Sequence, residues 1–186
     1  MKKTQISLLS IFFLTAMSFL FQSCEENGPS NNTDTGVITL KMRNGDNGST
    51  SLPVGMFDEN VYMNSGNNFY VNNSYSTSIC DAGRKSLGAV RSVPEFGWAR
   101  EMAVMTGHTY VVKVRYDIYD IEELIQWGHI VWDENENLVS QDGNPIIVDN
   151  GLVYYYTKIH VIDYITAVGG GIIGADVQYC SWFPNK

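Results

Sequence analysis

Positive charge is scarce in this chain of 186 residues. Twelve Lys and Arg stand against twenty Asp and Glu, for a formal net charge of −8 at pH 7. A domain this acidic repels phosphate backbones and anionic lipid surfaces, which excludes nucleic acid as a natural partner and favours neutral ligands or basic proteins. Histidine is scarcer still. His108, His129 and His160 show no H-x-H or H-E-x-x-H spacing, and together with Cys80 and Cys180 they form no zinc-type cluster. The chain has no G-x-S-x-G nucleophile elbow and no phosphate loop with its lysine. Carboxylates are numerous, but no spacing selects a glycosidase pair. These absences lead to the expectation of a non-enzymatic protein that needs no metal and no cofactor.

Glycine is not scarce. In AVGGGIIGA, from Ala167 to Ala175, Gly169, Gly171 and Gly174 fall at the G-x-G-x-x-G spacing of a dinucleotide fingerprint. That fingerprint needs a helix opening at the glycines and an acidic residue about 20 positions on. The residues that follow, IIGADVQYCSW, read as a strand, and they run to Lys186 with no room for either feature. The expectation is a glycine turn or bulge between two strands, with no nucleotide bound.

The first residues carry Lys2 and Lys3, then an uncharged apolar run from Ile6 to Phe21, then Gln22, Ser23 and Cys24. This is a secretory signal layout, and the run falls short of the roughly 20 residues of a membrane-spanning helix. A small residue directly before a cysteine is the pattern of a bacterial lipobox. Residues 1–23 are therefore expected to be removed and Cys24 lipidated, although Phe21 and Gln22 depart from the strict form. Residues 24–36, starting Cys24-Glu25-Glu26, carry no apolar side chain beyond the cysteine and are expected to be a flexible acidic and polar tether. As a random coil it would hold the domain on the order of 20 Å from the lipid. Residues 37–186 are left as a single domain.

With Cys24 assigned to lipid, Cys80 and Cys180 remain. In an exported protein a bridge between them would close a loop of about 100 residues and contribute about 4 to 5 kcal/mol in the chain-entropy account. Two buried thiols are the alternative.

Period-2 alternation dominates from residue 36 onward. Ile38, Leu40 and Met42 share one face, and Thr39, Lys41 and Arg43 the other. Asn44 to Ser51, NGDNGSTS, is a turn cluster. Further strands are expected at 68–71, 76–80, 87–93, 99–105, 109–116, 129–132, 145–148, 152–167 and 172–182. Asp120 to Trp127, DIEELIQW, is the one convincing helix, with acidic residues in its first turn and Gly128 to end it. Many strands without alternating helices predict an all-β, mainly antiparallel domain, a β-sandwich or barrel with one short accessory helix.

Two features suggest ligands. Asp133, Asn135 and Asn137 in WDENENLVSQDGN have a D-x-N-x-N spacing suited to calcium, but Leu138 and Asn144 stand where an EF-hand needs Gly and Glu. A polar hairpin tip accounts for the same residues without a metal. In LVYYYTKIH the strand period puts Tyr154 and Tyr156 on one face and Tyr155 on the other. Trp98, Trp132, Tyr154 and Tyr156 are the candidate binding aromatics, since flat rings with a polar handle suit sugars and protein partners.

GWAREMAVMTGHTYVVKVRY, from Gly97 to Tyr116, and IHVIDYITAVGGGIIGADVQY, from Ile159 to Tyr179, resemble segments of small uncharacterised lipoproteins of gut Bacteroidetes, of the domain-of-unknown-function type. The shared elements are NNF at Asn67 to Phe69, GW-A at Gly97 to Ala99, G-H-x-Y at Gly107 to Tyr110 and G-G-I-I-G-A at Gly170 to Ala175. The acidic residues after Cys24 likewise look like the surface-export signal of such bacteria. The resemblance implies an outer-membrane lipoprotein with a β-rich domain, facing the cell surface or, alternatively, the periplasm. It brings no activity and no catalytic residues. Three functions follow in order: a binding or adhesion module, with a glycan among its possible ligands; an accessory subunit of an outer-membrane assembly; and last a small hydrolase.

Overall fold

The computed structural model describes residues 35–42, 50–55, 59–72, 76–116, 121–141, 143, 146–182 and 184. The signal segment 1–23, Cys24, the tether up to 34, most of the turn at 44–51 and the cap Asp120 lie outside these residues. Twelve strands are β1 Thr35–Lys41, β2 Leu52–Pro53, β3 Asn60–Met63, β4 Asn68–Val71, β5 Ser76–Asp81, β6 Glu101–Ala103, β7 Thr109–Tyr116, β8 Ile130–Trp132, β9 Leu138–Ser140, β10 Ile146–Asp149, β11 Leu152–Thr166 and β12 Ile172–Ser181. A 3-10 turn, η1, covers Leu87–Ala89, and the one α-helix among the described residues, α1, covers Ile121–Gln126. No described helix is long and apolar enough to cross a membrane.

The strands form a six-stranded sheet ordered β1-β12-β11-β7-β5, with β10 also on β11, a four-stranded sheet ordered β2-β3-β4-β6, and the β8-β9 hairpin. All pairings are antiparallel. The fold is thus all-β and sandwich-like, with no closed barrel. β11 is long enough to serve two neighbours along one edge, β10 at Leu152–Tyr155 and β12 from Thr157 onward.

Alternation decides which side chains meet. Tyr110, Val112, Val114 and Tyr116 of β7, and Val153, Tyr155, Ile159 and Val161 of β11, point into one core, where Leu52, Val61, Met63, Phe69 and Val71 of the smaller sheet meet them. Phe69 packs edge-on against Tyr110 at 5.1 Å between ring centres, joining the two layers. The Tyr110 hydroxyl donates to the Ala103 carbonyl at 2.7 Å, and burial pushes its pKa up. Ala99 exchanges both backbone hydrogen bonds with Ile79 before the chain pairs with β4 as β6, so residues 99–103 turn the corner between sheets.

The glycine stretch is a hairpin. Ala167 N bonds to Gly171 O and Gly170 N to Ala167 O, with φ of 115° at Gly169 and 88° at Gly170. Gly174 has another role: a Cβ there would lie 2.5 Å from the Leu40 carbonyl oxygen of β1. The strand after the turn occupies the place where a nucleotide-binding helix would have to be.

Two expectations need correction, and one open alternative is resolved. β1 begins at Thr35, paired with Cys180, so Thr35 and Gly36 belong to the sheet and not to the tether. The expected strand at 87–93 is η1 and irregular chain. Its inward residues, Leu87, Val90 and Val93, recur every third position, a spacing that fits a 3-10 turn lying across a sheet and not a strand. Cys80 is a free thiol, so the Cys80–Cys180 bridge is not made. Cys180 stands opposite Lys158, Lys158 opposite Val111, and Val111 opposite Cys80. Three strand spacings separate the cysteines, about 14 Å, against the roughly 4.4–6.8 Å between Cα atoms that a disulfide tolerates. β2, β3 and β9 were not anticipated, being two to four residues long.

The two glycine roles can be separated by substitution. Gly174→Ala drives a methyl group into backbone and is expected to cost about 1–3 kcal/mol, whereas Gly171→Ala, with open space around it and no left-handed φ, should stay within about 0.5 kcal/mol of the parent. Urea midpoints of the two variants check this, and equal midpoints would refute the assignment.

Candidate functional site

The outward face of β5, β7 and β11 presents Ser78 and Cys80, then Val111, Lys113 and Arg115, then Tyr154, Tyr156, Lys158 and His160. Half of this face is itself dry. The segment from Ala82 to Trp98 folds across it, and Val90, Val111, Tyr156 and Trp182 form a second core, with Val93, Trp98, Ile147 and Tyr154 packed around them. Tyr156 is buried there, edge-on to Trp182 and stacked on Tyr154 at 6.3 Å. Burial, reinforced by Tyr154 and Asp149, pushes its phenol pKa up to about 12.

Beyond Trp98 the covering segment ends and the face opens. A groove of about 310 Å³ is lined by Thr77, Ser78, Trp98, Ala99, Arg100, Lys113, Arg115 and Tyr154. Trp98 is held by its indole N–H, which donates to the Pro94 carbonyl at 3.0 Å, and the Lys113 ammonium lies 4.3 Å from its ring centre. Burial and then the neighbouring charge of Arg115 lower the Lys113 pKa. This is the candidate site: three cations and two half-buried rings around a cleft at the small end of ligand-pocket size.

Of the four aromatics anticipated, the structure brings Trp98 and Tyr154 together in the groove and places Tyr156 beneath them in the second core. Trp132 does not line it. It is 60% exposed on the β8-β9 hairpin, with Trp127 64% exposed nearby in sequence. The cations of the groove were missed. Alternation in TYVVKVRY puts Lys113 and Arg115 on one face, a signal that was available, but nothing local shows that Arg100 and Trp98 arrive beside them.

The Asp133 loop is the tip of the β8-β9 hairpin. One Asp133 oxygen, Oδ1, accepts the backbone N–H of Asn135 and of Asn137, both at 2.8 Å, and these bonds lower the Asp133 pKa. The carboxylate is committed to its own turn. Among the described residues no group of three or more His, Cys, Asp or Glu could hold a metal.

The remaining polar groups knit the covering segment down. His108 Nδ1 contacts Asp81 Oδ2 at 3.0 Å, Asp81 Oδ1 accepts from Gly83 N at 2.7 Å, and His160 Nδ1 lies 3.0 Å from the Thr109 hydroxyl. Burial and the nearby His108 lower the His160 pKa, against a hydrogen bond to the Lys85 backbone carbonyl that raises it. The Cys80 sulfur faces the Phe96 carbonyl at 3.3 Å, and burial followed by the Asp81 charge raises its pKa, which keeps it a thiol. Lys158 is the least ordinary member. Its ammonium is buried, donates to the carbonyls of Leu87 and Val90 at 3.0 Å each, and lies 4.5 Å from the Trp182 ring centre. Burial lowers its pKa to about 8.

Fold and groove together define a β-sandwich domain with an open basic and aromatic cleft. Residues 39–121 match a family described as Domain of unknown function (DUF5036). The matched range runs from within β1 to the first residue of α1 and holds every lining residue of the groove except Tyr154. No curated protein and no solved structure matches the chain.

Lys158 generates a pH signature. Its folded pKa lies below the ordinary 10.5, so between about pH 8 and 10.4 the unfolded chain holds a proton that the folded chain has released. Stability attributable to this group therefore rises with pH across that window. The urea midpoint of the parent is expected to gain on that of Lys158→Met between about pH 7.5 and 10. A constant difference would show that Lys158 is solvated.

Proposed function

We propose that the chain is a lipoprotein anchored to the outer membrane through Cys24, facing the cell surface, whose sandwich domain is a binding or adhesion module for glycans and not an enzyme. The observation that carries this is the pairing of Trp98 with Tyr154 at the open end of an otherwise covered sheet face. Rings are costly to leave wet, and here packing on the second core and the indole hydrogen bond hold them at the cleft. A fixed aromatic surface with hydroxyls such as Ser78 beside it suits the alternating apolar faces and edges of a sugar. The lipobox-like Ser23-Cys24, the acidic residues after it and the resemblance to Bacteroidetes lipoproteins support the address.

An assembly-partner role has one observation in its favour. Trp127, Val131 and Trp132 are 64%, 39% and 60% exposed within six residues of chain, and large exposed apolar groups mark protein contacts when they form a patch. The groove and this patch are separate surfaces, so they can be tested apart.

A glycan array and soluble polysaccharide screen with the purified full-length chain is expected to find binding. Trp98→Ala and Tyr154→Ala should weaken it by about tenfold or more, while Trp132→Ala leaves it unchanged. Loss only in Trp132→Ala, or no binding by folded protein, would transfer support to the assembly reading.

The address has its own check. Protein isolated from native membranes is expected to begin at Cys24 and to carry an acyl-shifted mass on its N-terminal peptide. An N-terminal peptide of unmodified mass, or one that still carries residues 1–23, would overturn the lipid anchor.

A further inference from the structure

We infer that the groove recognises an anionic sugar unit, a uronate or a sulfated pyranose, with Lys113, Arg115 and Arg100 meeting the anionic group and Trp98 and Tyr154 meeting the ring. The inference rests on the glycan-binding reading and names the class of its ligand.

The argument begins with distribution of charge. The chain has only twelve Lys and Arg, yet three of them line one cleft and no acidic residue does. Lys113 and Arg115 are consecutive outward positions of β7, facing Ser78 on one neighbour and Tyr154 on the other. Arg100 joins them from the corner segment that links the sheets.

Such convergence carries a cost that a ligand would offset. The Lys113 ammonium is partly desolvated and its neighbouring charge is Arg115, both of which disfavour its charged form. A bound anion restores a counter-charge at that point. The guanidinium groups offer planar donor pairs that fit a carboxylate or a sulfate. The ring at Trp98 is already polarised by the Lys113 ammonium over it, so the anionic group and the sugar ring are read side by side. The volume of about 310 Å³ suits a single such unit better than an extended chain.

Matched pairs of probes separate the possibilities. Polygalacturonate is compared with fully methyl-esterified pectin, and dextran sulfate with dextran, using the purified full-length chain. The expected result is at least tenfold tighter binding of one or both charged members, falling with added salt. Which pair responds identifies the anion as carboxylate or sulfate. Arg100→Ala, on an exposed side chain, and Lys113→Met, which keeps the aliphatic stem against Trp98, should each cut the charged-probe affinity by about tenfold and flatten its salt dependence. Should Lys113→Met fail to fold, Arg100→Ala and the salt series still decide. Equal or better binding of the neutral members, lost in Trp98→Ala, would overturn the anionic assignment while keeping the glycan reading. Binding of none of the probes, and of nothing on the array, would overturn both.

Discussion

The antiparallel pairing of β7 with β11 is the constraint on which the remaining structure depends. It runs without interruption from Val153 opposite Tyr116 to His160 opposite Thr109. Each pair sends its side chains to the same face, so this one register places Val114 with Tyr155 in the main core and Lys113 with Tyr156 on the opposite face. A slip of β7 by one residue would turn Lys113 and Arg115 into the main core and Val112 and Val114 out of it. The register is therefore held by the burial of both faces, and the β10, β12 and β5 pairings extend it outward.

Because both faces of the central strands are covered, the molecule has two cores of unequal finish. The inner one is apolar and closed by the second sheet. The outer one is closed by a single irregular segment, and the polar groups on that face become its fasteners. Lys158 draws down η1 through two carbonyls, His108 and Asp81 hold the chain near Gly83, and Trp98 marks where the cover stops. The groove is a consequence of that stop. Its cations come from the same alternation that makes the strand, and its aromatic wall is the last residue of the cover together with the last tyrosine of the outer row.

Strands with uninterrupted alternation are legible in the sequence alone. The run TYVVKVRY is β7, the long run from Leu152 is β11, and the split of Tyr155 from Tyr154 and Tyr156 appears in the structure as inner and outer rows. The helix at Ile121–Gln126 and the glycine hairpin were also readable, since capping, turn chemistry and the strand after the glycines are local. The segment 87–93 departs from expectation because Val90 and Val93 are β-branched and the stretch is turn-flanked like a strand, while the spacing of three from Leu87 belongs to a 3-10 turn. The cysteine pair was left open between a bridge and two thiols because strand order is not local. Cys80 and Cys180 lie in one transverse row, and only the order β12-β11-β7-β5 puts two strands between them.

What the sequence determined by itself was the class of element and the direction of each side chain along it, since both follow from backbone geometry over a few residues. The acidic balance, the lack of familiar catalytic spacings and the lipobox-like Cys24 were equally local readings. Tertiary structure decided which face of the sheet each row meets, where the covering segment ends, and that Arg100 and Trp98 reach Lys113 and Tyr154. Those outcomes depend on contacts between residues tens of positions apart, whose free energy comes from burying whole faces together, and no short window of sequence contains that term.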